Sequence, residues 1–136
     1  MKIVIDSNII FSALIKDSLT RKLIFELENL LMPEIVFKEI ENYRQELIDK
    51  SKLNWNELQK ALKLIIKNIE IIPNDVLEKY KKKAWELIGT HSPEDVMFIA
   101  CCLKFEDSIL WSDDKKLKLQ NKIQVLNTQE IVKTLI

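Results

Sequence analysis

The chain has 136 residues, 47% of them hydrophobic and 31% charged, with 21 basic and 21 acidic side chains. This composition is typical of a globular protein, so we expect residues 1–136 to form a single domain, and a net charge of zero gives no general attraction to nucleic acid or to membranes. No apolar run reaches the ~18–20 residues of a membrane span and no signal-peptide pattern begins the chain, which predicts a cytoplasmic protein with no membrane partner.

Rare residue types exclude several kinds of site. The single glycine, Gly89, rules out a Gly-rich phosphate loop and a dinucleotide fingerprint, because both need several glycines. The single histidine, His91, rules out acid–base catalysis by two histidines. Cys101 and Cys102 are adjacent in an apolar segment, and neighbours on a helix point about 100° apart. They are therefore predicted to be core residues rather than a disulfide or a metal-binding pair.

Apolar runs alternate along the chain with segments of helical periodicity. In chain order the sequence predicts strand 2–5, helix 8–15, helix 19–30, strand 30–32, helix 34–50, a helix from Asn54 or Asn56 to 67, strand 68–72, helix 74–88 with Gly89 as a left-handed cap, helix 92–105, strand 108–111, helix 114–120, strand 123–126 and a helix from 128. Short, continuously apolar strands are typical of a buried parallel sheet. We therefore predict an α/β fold, a three-layer α/β/α arrangement with a central, mostly parallel sheet of four to five short strands.

Two of the predicted strands end in acidic residues. Strand 2–5 is followed by Asp6, and strand 108–111 is followed by Ser112, Asp113 and Asp114. Ligands of open α/β sheets bind beyond the carboxyl ends of the strands, so these acids are candidates for one site. The alternative is that each Asp caps the helix that follows it.

Helical phase selects a third acid in the helix after Pro33. An apolar stripe predicts the buried face of this helix, and it consists of Val36, Ile40, Tyr43 and Leu47. Glu39 lies about 60° from Val36, on the flank of the stripe, whereas Glu34 and Glu41 lie about 140–160° away and should face solvent. Glu39 can therefore lean toward a site, although a charged flank residue is the alternative.

The same argument selects Asp95 in the helix that begins near Pro93. Asp95 lies about 40° from the apolar Ile99, whereas Glu94 lies nearly opposite and should face water. Here too the alternative is a cap, because Ser92 and Asp95 fit an acidic first helical turn.

Three or four carboxylates can share one site only if the electrostatic repulsion between them is offset. Each pair of like charges within ~6 Å costs about 3 kcal/mol at an effective dielectric constant near 20. A domain with a stability of ~5–15 kcal/mol needs either protonated acids or a bound cation to offset that cost. Ligands that are all oxygen favour Mg²⁺ or Mn²⁺ over zinc.

Four segments carry a resemblance to a known family, and they are 3–14, 33–40, 92–100 and 109–117. In this order and spacing the chain resembles the PIN-domain family of metal-dependent nucleases over essentially its whole length. It is similar to the members that act as toxin components of bacterial and archaeal toxin–antitoxin pairs. The resemblance implies an endoribonuclease that hydrolyses RNA phosphodiester bonds with Mg²⁺ or Mn²⁺, and it implies an antitoxin protein and a second copy of the chain as partners.

The resemblance also assigns roles by position. It implies that the catalytic, metal-binding acids are Asp6, Glu39, Asp95 and Asp114. The polar groups that it places behind them are Ser7, Asn8, Ser112 and Asp113, and the alternative for Asp113 is that it is itself a metal ligand. Two positions differ from the family's pattern. Some relatives have an acid where this chain has Lys116, and an acid is often found where this chain has Ser92. These differences concern how many metal ions bind. Basic side chains near the predicted strand-end rim are candidates for phosphate binding, and the alternative is that they are solvated surface charges. They are Lys16, Arg21, Lys115 and Lys116.

Two other functions compete with this interpretation. One is a catalytically inactive domain of the same fold that binds RNA or protein. The other is a phosphatase that forms a phosphoaspartyl intermediate, an enzyme class that also places acids at strand ends. Such phosphatases need a second Asp two residues after the nucleophile, and Asn8 occupies that position here.

Overall fold

Five parallel strands form the centre of the computed structural model, which describes residues 1–136. The strands are β1 (Lys2–Ile5), β2 (Leu30–Pro33), β3 (Ile69–Ile72), β4 (Ser108–Trp111) and β5 (Val125–Leu126). Their order across the sheet is β3-β2-β1-β4-β5, and every neighbouring pair is parallel. The chain order is interrupted between β1 and β4, so the carboxyl edge near β1 is where this class of sheet binds ligands.

Register places the two acid-bearing strand ends side by side. Ile5 of β1 lies opposite Trp111 of β4. The pairing continues one residue further, because the Asp6 amide donates a hydrogen bond to the Trp111 carbonyl at 3.0 Å. Asp6 and Ser112 therefore leave the sheet at the same level.

Helices cover both faces of the sheet, which confirms the predicted three-layer α/β/α fold. They are α1 (Ser7–Ile15), α2 (Leu19–Glu26), α3 (Ile35–Asn42), α4 (Arg44–Ser51), α5 (Trp55–Ile65), α6 (Asn74–Leu77), α7 (Lys81–Ala84), α8 (Val96–Lys104) and α9 (Thr128–Leu135). Contacts join α1, α2, α4 and α5 into one group, and α6, α7 and α8 into another. Bilayer spanning would require a longer and more apolar helix than any of these.

The core contains 35 buried hydrophobic residues. Cys101 and Cys102 are both part of it, as predicted, and burial raises the pKa of the Cys101 thiol to about 12. Trp111 is completely buried, and its indole N–H donates to the Thr128 hydroxyl at 3.1 Å. Asn54 caps α5 in a capping box with Glu57, so the helix begins from Asn54 and not from Asn56.

Several predicted helices are shorter or divided. The expected helix 34–50 is two helices, because Tyr43 leaves helical geometry at φ −103° and ψ 18°. The expected helix 19–30 ends at Glu26, since Leu27 is already extended. The expected helix 114–120 is a 3₁₀ turn, Lys115–Leu119.

The prediction of a left-handed cap at Gly89 is wrong. The expected helix 74–88 consists of α6, a 3₁₀ turn (Glu78–Tyr80), α7 and a π-helical turn (Trp85–Gly89), and Gly89 has no positive φ. Glycine is needed there for space, because a Cβ at this position would lie 2.2 Å from Cδ2 of the Trp85 indole. The only glycine in the chain therefore lets the indole lie against its own helix.

Candidate active site

Asp6 occupies the turn between β1 and α1, but it does not cap the helix. Its side chain makes no capping hydrogen bond. Its carboxylate instead accepts from the Ser112 hydroxyl at 2.6 Å and more weakly from the Ser7 hydroxyl at 3.4 Å. The capping alternative is thus excluded for Asp6, because its carboxylate makes no capping hydrogen bond to α1 and accepts from two serine hydroxyls instead.

Burial makes Asp6 a perturbed acid. The residue is fully covered, and desolvation is the main reason that its pKa is raised to about 7. The hydrogen bond from Ser112 lowers this pKa, whereas the charges of Asp95 and Glu39 raise it. The three acids therefore lie close enough to repel one another.

A cleft of about 1300 Å³ opens at this edge of the sheet, between the two helical groups. Three of the predicted acids line it, and they are Glu39, Asp95 and Asp114. Ser7 and Asn8 line it too. Asp6 does not line the cleft, because it is completely buried.

The pKa values of Glu39 and Asp95 are raised, like that of Asp6. Desolvation is the largest cause that raises the pKa of each carboxyl. The nearby Ser7 hydroxyl lowers the pKa of Glu39, and the Ser92 hydroxyl, which donates to Oδ2 of Asp95, lowers that of Asp95. The charge of Asp95 raises the pKa of Glu39, and the charge of Asp114 raises that of Asp95. The four acids are therefore electrostatically linked.

The two adjacent aspartates after β4 have different surroundings. Asp114 lines the cleft, and its Oδ1 also caps the following 3₁₀ turn by accepting from the Lys116 amide at 3.0 Å. Asp113 points elsewhere, because its carboxylate accepts from the amide and hydroxyl of Thr128 at 2.8 and 3.0 Å. Asp113 is therefore tied to the start of α9 and is not a wall of the cleft.

Ser112 joins the first acid to the last. Its hydroxyl donates to Asp6 and accepts from the Asp114 amide at 3.1 Å. Its single hydroxyl proton is therefore committed to Asp6. The hydroxyl fixes the Asp6 carboxylate relative to the loop that carries Asp114.

We expect Ser112→Ala to lower a metal-dependent activity of this site roughly 10- to 100-fold, the usual cost of losing a group that orients a metal ligand. The fold should persist, because the variant keeps the Ser112 backbone amide, which donates to the Leu126 carbonyl at 3.0 Å. Ser108→Ala is the matched control, since Ser108 begins the same strand and donates only to the Cys102 carbonyl. Equal activity of the two variants would contradict an orienting role for Ser112.

The four predicted phosphate-binding residues divide into two pairs. Lys16 and Lys116 line the cleft, and Lys116 lies 3.2 Å from Glu94 and 3.9 Å from Asp114. Arg21 does not line it, because its Nε donates to the Ala13 carbonyl at 2.8 Å and so connects α2 to α1. Lys115 is exposed outside the cleft.

The sequence analysis did not place three of the cleft residues at the site. Glu94 is exposed, as predicted, yet it lines the cleft, because Pro93–Asp95 form a 3₁₀ turn to which α-helical phase angles do not apply. Lys81 is the second, and it lines the cleft from α7, where no motif marked it. Trp85 is the third, and its pairing with Gly89 four residues later was the available signal.

The donor set suits a hard divalent cation by its chemistry, although the side chains are not arranged around one. The acids are all oxygen donors, which hard cations prefer. Three of them have raised pKa values, and a bound cation would lower these values by stabilising the ionised carboxylates. No three His, Cys, Asp or Glu side chains are placed so that they could hold an ion together. Asp6 and Asp95 are each held by a serine hydroxyl, which leaves other carboxylate lone pairs free for an ion.

A family model described as PIN domain matches residues 4–135. No curated protein matches the chain.

Proposed function

This chain belongs to the PIN-domain family, a family of nucleases, and from that premise we propose that it is an Mg²⁺- or Mn²⁺-dependent endoribonuclease. The observation that carries the proposal is the set of linked acids at the carboxyl edge of the sheet. Asp6, Glu39 and Asp95 have raised pKa values caused by burial and by mutual repulsion. Glu39 and Asp95 line the cleft, and perturbed carboxyls in a cleft are a signature of functional sites.

In this proposal the ion is held by Asp6, Glu39, Asp95 and Asp114. A bound divalent ion supplies Lewis acidity, lowering the pKa of a water molecule and stabilising negative charge on the phosphate. Ser112 and Ser7 orient the Asp6 carboxylate, and Lys16 attracts the RNA backbone. The absence of a second histidine is consistent with this chemistry, since no side-chain base is required.

The first test is cleavage of a labelled single-stranded RNA with Mg²⁺, with Mn²⁺ and with EDTA. Asp114→Asn and Asp113→Asn form a matched pair, because the residues are adjacent and alike but only Asp114 lines the cleft. We expect Asp114→Asn to lower cleavage by about 100-fold. Asp113→Asn should keep near-normal activity. Equal effects of the two substitutions would count against the assigned site.

A binding domain without catalysis is the second candidate, favoured by the absence of a preformed arrangement of three ligands. Calorimetric titration with Mn²⁺ separates the two candidates, because the nuclease must bind the ion and the binding domain need not. The phosphatase alternative has no comparable support, since Asn8 lines the cleft where a second acid would be needed.

The biological role that we propose is the toxin of a toxin–antitoxin pair, acting in the cytoplasm, with an antitoxin protein and a second copy of the chain as partners. Induced expression should then arrest growth of a bacterial host. Co-expression of a small protein from the neighbouring gene should relieve the arrest. Normal growth on induction of an RNA-cleaving protein would contradict the toxin role.

A further inference from the structure

Trp85 is an exposed aromatic side chain on the wall of the cleft that contains the acids. Its side chain is 52% exposed, although tryptophan is normally among the more buried residues. It follows α7, in the helical group opposite α1 and α3, which supply Asn8 and Glu39 to the same cleft. The indole is neither part of the hydrophobic core nor among the partly buried side chains that pack against it.

The local backbone holds the indole in position. Trp85 begins the π-helical turn that ends at Gly89, and a Cβ on Gly89 would lie 2.2 to 2.6 Å from three ring carbons. One side of the ring therefore lies against the Gly89 backbone. Single π-helical turns are uncommon and occur frequently at functional sites.

The rest of the cleft suits a polar, anionic chain, because apart from Glu39, Asp95 and Asp114 its charged lining consists of five lysines and three glutamates. Only eight of its 25 lining residues are hydrophobic, which disfavours an apolar helix as occupant. Lys16 and Lys38 line it and form no ion pair. Its volume of about 1300 Å³ exceeds the ~300–1,000 Å³ of small-molecule sites, so it has room for more than one nucleotide.

We propose that Trp85 is a base-stacking platform that binds a nucleobase of single-stranded RNA beside the acid site, and that Gly89 is the residue that positions its indole. This inference rests on the proposed ribonuclease function and adds how the site holds a base of its single-stranded substrate. An exposed indole stacks on any unpaired base, whereas bases within a duplex are covered by their neighbours. Lys16 and Lys38 then attract the flanking phosphates.

The test measures RNA binding in an Asp6→Asn background with Mg²⁺, using a labelled single-stranded oligonucleotide and fluorescence anisotropy. Trp85→Ala should weaken binding about 5- to 150-fold, the range for loss of one stacked base. Trp85→Phe should restore most of the affinity. Phe25→Ala is the matched control, because Phe25 is 51% exposed but lies outside the cleft, and it should change nothing.

Tryptophan fluorescence gives a second readout. Trp111 is fully buried and Trp55 is partly covered with Arg44 over its ring, so Trp85 is the indole that RNA can reach. Single-stranded RNA should quench the emission and Trp85→Phe should remove that quenching, whereas the duplex should have little effect. Gly89→Ala should displace the indole, reduce the quenching and raise KM for cleavage more than it lowers kcat in the protein with Asp6 intact.

The outcomes separate this inference from the function beneath it. If the protein with Asp6 cleaves RNA while Trp85→Ala binds RNA as tightly as Phe25→Ala does, the stacking platform is overturned alone, and the exposed indole is left to a protein partner. If the protein neither binds nor cleaves RNA, the proposed function and the platform are both overturned.

Discussion

Asp6→Asn is expected to abolish metal-dependent cleavage of single-stranded RNA while leaving the protein folded. The substitution keeps the shape of the side chain but removes the negative charge that a divalent ion needs. The expected loss exceeds about 100-fold, the upper end of the cost of removing a group that only orients a metal ligand. Cleavage of a labelled RNA with Mn²⁺ measures this loss of activity. Unchanged activity of the variant would contradict the proposed site.

The stability of the same variant separates a ligand from a structural residue. Asp6 is buried, and its pKa of about 7 means that ionisation at higher pH is costly in the folded state. The Asn side chain carries no charge, and its amide oxygen can still accept from Ser112. Asp6→Asn should therefore be at least as stable as the parent protein above pH 7 in EDTA, as measured by urea unfolding. A marked loss of stability would mean that Asp6 serves the fold.

The metal-free protein is expected to become less stable as the pH rises from about 4 to about 7. Below the unfolded pKa of 3.8 Asp6 is protonated in both states, and above it the unfolded chain ionises while the folded protein holds its proton until about pH 7. Each pH unit in this window costs 1.36 kcal/mol, so the expected loss from Asp6 is about 4 kcal/mol. Glu39 and Asp95 act in the same direction, because their pKa values are also raised.

Urea unfolding at several pH values, with and without Mn²⁺, measures this dependence. Asp6→Asn is the control, because the difference between the two proteins isolates Asp6 from the other acids. Mn²⁺ at 100 times its dissociation constant should stabilise the parent protein by about 2.7 kcal/mol. That gain should be greatest at high pH, where no proton has to be displaced. Parallel pH curves for the parent and the variant would contradict the raised pKa.

The local pattern of the sequence was enough to identify the sheet and the strand-end acids. Strands β1 and β4 were predicted with their observed bounds, because a short apolar run that stops at a polar residue depends on neighbouring residues only. The resemblance to the PIN-domain family and the three-layer fold were likewise available from the order of the segments, and both are confirmed.

Tertiary structure decided what each acid contacts. Whether Asp113 or Asp114 faces the cleft depends on Thr128, which is distant in the chain and sits at the start of α9. Arg21 is withdrawn from the rim by the Ala13 carbonyl, a contact between two helices. Contacts of this kind depend on packing, so the periodicity of one segment does not contain them.

Asp6 and Gly89 each owe one property to the sequence and another to the tertiary structure. The sequence by itself determined that Asp6 follows an apolar strand, which put a carboxylate at the ligand-binding edge of a parallel sheet. Only the tertiary structure decided that Asp6 is buried, bonded to Ser112 and repelled by Asp95 and Glu39, because those partners come from other elements. In the same way the sequence showed one glycine, and the fold revealed that Gly89 makes room for the indole of Trp85.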